Sequence, residues 1–378
     1  MSADQTRIPL VDLAAAHAEV AVEVEAGIAR VLATCAFVGG PDVAGFEAEF
    51  AAFTGVAHCV GVANGTDAIE LALRALGVGA GAGVVMPANT FVATAEAAVR
   101  AGARPVLADV DEEFLLLDPQ RAAEALAGPV ESRALVPVHL NGQLAPMGAL
   151  RALAEAREVF LVEDAAQCQG ATQDGLGPGA WGPRGIAATS FYPGKNLGAY
   201  GDGGAVLTGD EGYDLALREL REHGSSRKYV HTRLGFNSRL DTIQAVVLRA
   251  KLRRLADWNV RRRAAAARYD ALLGGVEGVR TPGTAPGNEH VWHLYAVRVP
   301  ERDKVLALLN EAGIGAGVHY PVPVHLQPAF RELGYARGDF PVAERSADEI
   351  LTLPLFPQIT AAQQERVAEV LAGAVGGL

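Results

Sequence analysis

Short apolar runs alternate with amphipathic helical patterns between about residues 60 and 210, and this alternation strongly constrains the fold. The segment TDAIELALRAL, for example, places its apolar side chains on one helical face: Ile69, Ala72, Leu73 and Leu76. Strands separated by helices predict βαβ units and a mainly parallel sheet covered on both faces. Ligand sites in such α/β sheets lie beyond the carboxyl ends of the strands. The apolar runs include residues 84–87, 105–110, 134–140, 159–164 and 203–209.

A second, smaller α/β region is predicted after a long helix. The helical pattern runs from Arg239 to about Leu273, with a break or kink near residues 257–259. The strand HLYAVRV and the helix KVLALLNEAGI follow. A chain of 378 residues is long enough for a large domain over residues 1–250 and a small C-terminal α/β domain over residues 251–378.

Charge and cysteine content narrow the classes of partner. The net charge of -11 argues against nucleic-acid and anionic-membrane partners, because both favour basic surfaces. The three cysteines form no CxxC pair, so we expect neither a disulfide framework nor a metal site. No signal peptide and no uncharged run of 18 apolar residues is evident, and we expect a cytoplasmic protein.

Two turns at predicted strand ends carry side chains suited to a planar, phosphorylated ligand. Asn64, Gly65 and Thr66 lie between an apolar run and a helix, where free amides and a hydroxyl suit a phosphate group. An ordinary turn with a helix cap explains the same residues. Phe91 follows the next strand and either joins the core or offers a flat face for a planar ligand.

The segment FLVEDAAQCQGA ends a buried strand with carboxylates. Asp164 needs a cation, backbone amides or a protonated ligand nitrogen, because a buried unpaired carboxylate is costly. A helix cap or a structural ion pair would also satisfy it. Gln167, three residues later, can donate a hydrogen bond to a neighbouring oxygen.

The segment SFYPGKNLGAYGDGGAV places one lysine among glycines. Lys195 is either a solvated loop side chain or an amine presented to a ligand, and Ser190 offers a second hydroxyl near the phosphate turn. A phosphate turn, a flat wall, a carboxylate, a glutamine and a lysine together describe a site for pyridoxal phosphate. The lysine would form a Schiff base with the cofactor aldehyde, and Asp164 would hold the pyridine nitrogen protonated.

These motifs resemble the DegT/DnrJ/EryC1/StrS family of sugar aminotransferases, which are fold-type I enzymes that use pyridoxal 5′-phosphate. The family fold is a large domain with a mostly parallel sheet plus a smaller C-terminal α/β domain. The resemblance covers nearly the whole chain and is carried by FVGGPDVAGFEAEFAAFTG, GVANGTDAIELAL, PANTFVATAEAAVRAGARPVLADVD, PVHLNGQ, VEDAAQCQGA, SFYPGKNLGAYGDGGA, LGFNSRLDTIQAVVL and GVHYPVPVHLQPAF.

The resemblance implies a role for each matching cofactor residue. Lys195 would hold the cofactor covalently and later move a proton between the cofactor and the sugar. Asp164 would bind the pyridine nitrogen, Gln167 the ring hydroxyl, and Phe91 would stack on the ring. Asn237 would reach the phosphate of the neighbouring subunit, which implies a homodimer with shared sites. The remaining phosphate ligands would be Gly65, Thr66 and Ser190.

The resemblance also implies a two-step transamination. Glutamate would donate the amino group, and a nucleotide-linked keto-deoxysugar, best matched by a dTDP-3-keto-6-deoxyhexose, would receive it. Antibiotic-sugar biosynthesis and surface-polysaccharide biosynthesis are both consistent with this reaction. His319, Tyr320 and His325 are the residues expected at the sugar end, and Lys228 and Tyr229 are expected near the nucleotide phosphates.

Several alternatives remain at the level of sequence. A cyclitol (inosose) or a 4-keto sugar would use the same cofactor motifs, and a non-catalytic regulator could keep the fold. A related dehydratase branch replaces the lysine with histidine, and Lys195 counts against it. Asn141 stands where the family often has an aromatic residue, so the role of that aromatic in this chain is open.

Overall fold

The computed structural model describes residues 7–182 and 185–378. The helices are α1 Leu13–Ala18, α2 Ala21–Thr34, α3 Pro41–Thr54, α4 Gly65–Ala75, α5 Val92–Arg100, α6 Pro119–Leu126, α7 Met147–Ala156, α8 Glu211–Arg221, α9 Thr242–Leu273, α10 Arg302–Glu311, α11 Pro341–Glu349 and α12 Ala361–Gly376. The strands are β1 His58–Val62, β2 Gly83–Pro87, β3 Arg104–Ala108, β4 Ser132–Leu135, β5 Phe160–Asp164, β6 Thr172–Gln173, β7 Ile186–Ser190, β8 Gly204–Thr208, β9 Ser225–Arg227, β10 Val230–His231, β11 Asn288–Glu289, β12 Tyr295–Arg298 and β13 Ile350–Leu353.

A seven-stranded sheet forms the centre of the molecule, in the order β1-β8-β7-β5-β4-β2-β3. The pairs from β7 through β3 are parallel, whereas β8 runs antiparallel to both β1 and β7. The sequence analysis predicted this mainly parallel sheet, and the structure confirms it. The carboxyl ends of the parallel strands therefore meet at one edge, as a ligand site requires.

Helices bury both faces of the sheet, because successive side chains of a strand point in opposite directions. Val84 and Met86 on β2 pack with α4, α5 and α8, whereas Val85 between them packs with α3, α6 and α7. The predicted apolar face of α4 is buried on the first of these faces. No helix among the described residues is long and apolar enough to cross a membrane.

The C-terminal region is built around the antiparallel pair β12–β13. Helices α10 and α12 and the end of α9 enclose it in an apolar cluster that includes Tyr269, Tyr295 and Leu353. The predicted strand and helix in this region are therefore present. The proposed boundary after residue 250 falls inside α9, which continues through it without interruption.

The predicted break in the long helix is wrong. Helix α9 spans 32 residues from Thr242 to Leu273, and the segment 257–259 is helical. Asn259 does not disturb the helix, because its side chain bonds outside it: Nδ2 donates to the Gln169 carbonyl at 2.9 Å, and Oδ1 accepts from Asn196 Nδ2 at 3.1 Å. The segment contains neither proline nor glycine, which are the usual causes of a kink.

Candidate active site

A cavity of about 760 Å³ lies at the carboxyl ends of the parallel strands. This volume is within the range of small-molecule sites, roughly 300–1,000 Å³. Segments after β1, β2, β5 and β7 contribute its wall, together with residues of the C-terminal region. The predicted residues that line it are Gly65, Thr66, Phe91, Asp164, Gln167, Ser190, Lys195, His319 and Tyr320.

The start of α4 forms one end of this cavity. Asn64 caps the helix by accepting a hydrogen bond from Asp67 N at 2.8 Å. A Cβ atom at Gly65 would lie 2.6 Å from Ser190 Cβ, so glycine permits the close approach of β7. Ser190 Oγ accepts from Tyr192 N at 3.3 Å, which leaves its hydrogen free to donate. Helix-start amides and two hydroxyl groups, those of Thr66 and Ser190, fit a phosphate group.

Asp164 ends β5 at the cavity wall and is 6% exposed. Its Oδ2 accepts from Thr94 Oγ1 at 2.7 Å, and its Oδ1 accepts from Ala166 N at 3.1 Å. Each oxygen thus has one donor from the chain, and a carboxylate has lone pairs for more. A protonated ring nitrogen in the cavity is a chemically suitable further partner for this carboxylate.

Gln167 is oriented by two hydrogen bonds. Its Oε1 accepts from Asn141 N at 2.7 Å, and its Nε2 donates to the Tyr320 hydroxyl at 3.1 Å. The second hydrogen of Nε2 remains for a ligand oxygen. Asn141 contributes its backbone here and has a φ of 62°, a left-handed conformation that asparagine tolerates. Its side-chain Oδ1 is buried without a hydrogen-bond partner.

Lys195 lies on a tight turn between β7 and β8. Its amide donates to the Tyr192 carbonyl at 2.8 Å, and a Cβ atom at Gly198 would lie 2.2 Å from the Pro193 carbonyl oxygen. Burial lowers the pKa of the Lys195 amine to about 8, although the charge of Asp164 opposes this shift. A substantial fraction of the amine is therefore neutral near pH 8 and can act as a nucleophile or a base.

An aromatic pair lines the same cavity. The Phe91 and Tyr320 rings are 5.1 Å apart between centroids, at an interplanar angle of 38°. Phe91 is 49% exposed although it is apolar, which leaves its ring face available to a ligand. Burial raises the pKa of the Tyr320 hydroxyl, so this group stays protonated.

The cavity is also lined by polar residues that the sequence analysis did not predict there, among them Thr90, Thr94 and His293. Burial and the charge of Lys195 lower the pKa of His293, and its Nδ1 lies 3.3 Å from Asn196 Oδ1. Nearby, burial lowers the pKa of His319 to about 4, and its Nδ1 lies 2.9 Å from Thr352 Oγ1. No local sequence pattern distinguishes these threonines from ordinary helix and loop residues.

His325 does not line the cavity, in contrast to the prediction. It is 3% exposed, and its Nε2 lies 2.9 Å from Glu344 Oε1 at the start of α11. A short 3₁₀ turn over Val324–Leu326 directs the ring toward that helix. The contact with Glu344 therefore links the 3₁₀ turn to helix α11.

Lys228, Tyr229 and Asn237 are exposed and lie outside the cavity of their own chain. The first two lie at the β9–β10 hairpin, where Tyr229 is 84% exposed. Asn237 follows this hairpin before α9. An exposed position is compatible with a role toward another subunit, and that role stays a prediction.

The chain shares its sequence and fold with known aminotransferases. The model of the DegT/DnrJ/EryC1/StrS aminotransferase family matches residues 19–372. The dTDP-3-amino-3,4,6-trideoxy-alpha-D-glucose transaminase of Streptomyces venezuelae is 46% identical over 369 residues, which cover 98% of this chain and 96% of that protein. The UDP-N-acetyl-3-dehydro-alpha-D-glucosamine 3-aminotransferase of Acidithiobacillus ferrooxidans is 43% identical and covers 97% of both chains.

Among solved structures, S. venezuelae DesV in complex with a ketimine intermediate superimposes with a TM-score of 0.94. It is 46% identical, and the match covers 97% of this chain and 98% of that one. Agreement of this extent excludes a similarity limited to the cofactor motifs. The chain therefore belongs to the DegT/DnrJ/EryC1/StrS aminotransferase family.

Proposed function

We propose that this protein is a pyridoxal 5′-phosphate-dependent transaminase that moves an amino group from glutamate to a nucleotide-linked keto-deoxysugar, specifically a dTDP-3-keto-6-deoxyhexose. One observation carries the proposal: the Lys195 amine and the Asp164 carboxylate line one cavity together with the start of α4. These are the groups that an aldehyde, a ring nitrogen and a phosphate require.

The chain offers a partner for each part of the cofactor. Thr66, Ser190 and the first amides of α4 would hold the phosphate, Asp164 the ring nitrogen and Gln167 the ring oxygen. Phe91 would cover one face of the ring. When bound, the cofactor supplies the aldehyde that carries the amino group and a ring that withdraws electrons from the reacting carbon.

Lys195 would move the proton in both half-reactions. Because the pKa of its amine is about 8, the neutral form is accessible near physiological pH. The protonated Tyr320 hydroxyl and the uncharged His293 and His319 rings stand near it without adding positive charge. This arrangement keeps the lysine amine basic enough to accept a proton and acidic enough to return it.

The substrate assignment rests on cavity size and on the named relatives. A cavity of about 760 Å³ has room for a sugar beside the cofactor. Both relatives are named for nitrogen at carbon 3 of the sugar, one on dTDP and one on UDP. This agreement supports carbon 3 as the position that receives the amino group more strongly than it supports a particular nucleotide.

We further propose a cytoplasmic homodimer with shared sites and two domains in each protomer. The cavity would lie between the predicted domains, since residues 64–202 and residues 293–320 both line it. Asn237, Lys228 and Tyr229 would serve the neighbouring subunit. Tyr229 is 84% exposed and Leu234 96% exposed, and a partner surface would remove these large side chains from water.

The assay supplies glutamate and a panel of acceptors: 3-keto and 4-keto deoxysugars on dTDP and on UDP, and an inosose. We expect amino-group transfer only with the cofactor-loaded protein, with the 3-keto dTDP sugar as the best acceptor. Product mass and NMR locate the new nitrogen, and Lys195→Ala is the inactive control. A cofactor-loaded enzyme that aminates only the inosose or a 4-keto sugar would overturn the substrate assignment. A protein that takes up no cofactor would overturn the proposed function.

A further inference from the structure

Two buried threonine hydroxyls form a hydrogen-bonded chain that ends on Asp164. Thr94 Oγ1 lies 2.7 Å from Asp164 Oδ2, and Thr90 Oγ1 lies 2.8 Å from Thr94 Oγ1. Thr90 is 2% exposed and Thr94 is 1% exposed, so bulk water does not compete for these hydrogen bonds. Neither threonine has a role in the family pattern described above.

The direction of the hydrogen bonds follows from the carboxylate. A carboxylate accepts only, so the Thr94 hydrogen points to Asp164. The Thr94 oxygen is then the acceptor for Thr90, which supplies the hydrogen between the two hydroxyls. Donors in such a chain polarise one another, and each strengthens the next.

The position of Thr94 argues against a purely local role. A threonine in a helix often bonds its hydroxyl to a carbonyl of the preceding turn. Thr94 lies in the first turn of α5, and its hydroxyl instead crosses to β5, 70 residues away in the chain. The same segment carries Phe91, whose carbonyl accepts from Thr94 N at 3.2 Å.

We propose that Thr90 and Thr94 are positioning residues that orient the Asp164 carboxylate for the ring nitrogen of the cofactor. This inference rests on the proposed function, because it requires that nitrogen as the ligand of Asp164. A carboxylate held in one orientation can form a charge-assisted hydrogen bond with the protonated ring nitrogen and stabilise its positive charge. The ring then keeps its proton and its capacity to withdraw electrons.

The test uses Thr94→Val, Thr94→Ser and Thr90→Val with two readouts that do not depend on turnover. The first is the dissociation constant of pyridoxal 5′-phosphate, measured by absorbance. The second is the pH titration of the visible absorbance of the loaded protein, which reports the protonation of the Lys195 linkage. Thermal unfolding of each cofactor-free variant shows whether it is folded.

Thr94→Val is expected to weaken cofactor binding roughly tenfold, because a hydrogen bond to a charged group is lost. Its absorbance titration should move to higher pH, since a less positive ring repels the linkage proton less. Thr94→Ser keeps the hydroxyl and should behave as the wild type. Thr90→Val should shift the titration in the same direction by a smaller amount.

Two results would overturn the proposal while leaving the proposed function intact. One is a Thr94→Val protein with wild-type affinity and titration. The other is a Thr94→Ser protein as impaired as Thr94→Val, because Thr94→Ser keeps the hydroxyl and its impairment would assign the effect to side-chain packing and not to the hydrogen bond. Failure of the wild-type protein to bind the cofactor would overturn both proposals, so the two failures are distinguishable.

Discussion

At the scale of single residues, the chemistry of the site depends on how far burial lowers the pKa of the Lys195 amine. Desolvation lowers its pKa to about 8 from an ordinary value near 10.5, and the Asp164 charge limits this shift. A lysine in solvent would be almost wholly protonated at pH 8. The cavity therefore makes the nucleophilic form available without a separate base.

Capture of pyridoxal 5′-phosphate by the cofactor-free protein should follow this pKa. Only the neutral amine attacks the aldehyde, so the capture rate should rise with pH through about 8 and level off above it. Stopped-flow absorbance measures this rate across the pH range. Lys195→Ala, the control, should show no covalent capture. A rate that still rises steeply at pH 10 would contradict the prediction.

At the scale of elements, the loop that carries Lys195 is fastened to α9. Lys251 on α9 is 4% exposed and donates from Nζ to the Gly198 carbonyl at 2.6 Å. Its Nζ also lies 4.6 Å from the centre of the Tyr200 ring. Gln244, about two helical turns before Lys251, accepts a hydrogen bond from Tyr200 N at 2.8 Å. These contacts hold the residues that follow Lys195 in its loop, Gly198 and Tyr200, against helix α9.

The Lys251 contacts predict a specific dependence of stability on pH. Burial lowers the pKa of Lys251 to about 8 in the folded protein, whereas the unfolded chain retains the ordinary value of 10.5. Between these values the unfolded chain binds more protons, so the free energy of unfolding rises with pH. This amine contributes a slope of at most about 1.4 kcal/mol per pH unit.

Lys251→Met should remove that contribution. Denaturant unfolding of the cofactor-free wild type and variant between pH 8 and 10 measures it, and subtraction cancels the effect of Lys195. Lys304→Met is the matched control, because Lys304 is exposed on α10, where it pairs with Glu301. Parallel pH profiles for the wild type and Lys251→Met would contradict the prediction.

At the scale of the whole molecule, the exposed position of Asn237 makes the proposed dimer testable. A dimer built from Lys195→Ala and Asn237→Ala protomers would contain one site with both residues intact, if Asn237 serves the neighbouring subunit. Random pairing of co-expressed chains should then restore about a quarter of wild-type activity, since half of the dimers are mixed and each holds one intact site. Each variant alone should be nearly inactive.

The control pairs Asn237→Ala with the double variant Lys195→Ala, Asn237→Ala. This mixture contains no intact site in either arrangement, so its activity should not exceed that of Asn237→Ala alone. When two affinity tags are used to isolate the mixed dimers, their activity should rise to about half that of the wild type, since one of the two sites in each is intact. Equal activities in the mixture and the control would place Asn237 in its own protomer's site or outside the site.

Most of the sheet was accessible to sequence reasoning because burial imposes a repeating pattern. Each predicted apolar run contains or overlaps a strand. The alternation of these runs with helices predicted that most of the strands pair in parallel, as they do in the structure. The break predicted near residues 257–259 was wrong, because the sequence does not show that Asn259 bonds to the neighbouring loop rather than to its own helix. Side-chain partners distant in sequence decide such local outcomes.

The sequence by itself determined the fold class and the residue types that gather at the strand ends, because periodic burial and turn chemistry are local properties. The resemblance to the family rests on its ordered motifs. Only the tertiary structure decided which groups share the cavity. In the folded chain the Thr94 hydroxyl bonds to Asp164, His325 bonds to Glu344 on α11 outside the cavity, and the Asn141 amide donates to Gln167. Each of these contacts joins segments 19 or more residues apart, and such proximity depends on how the elements pack.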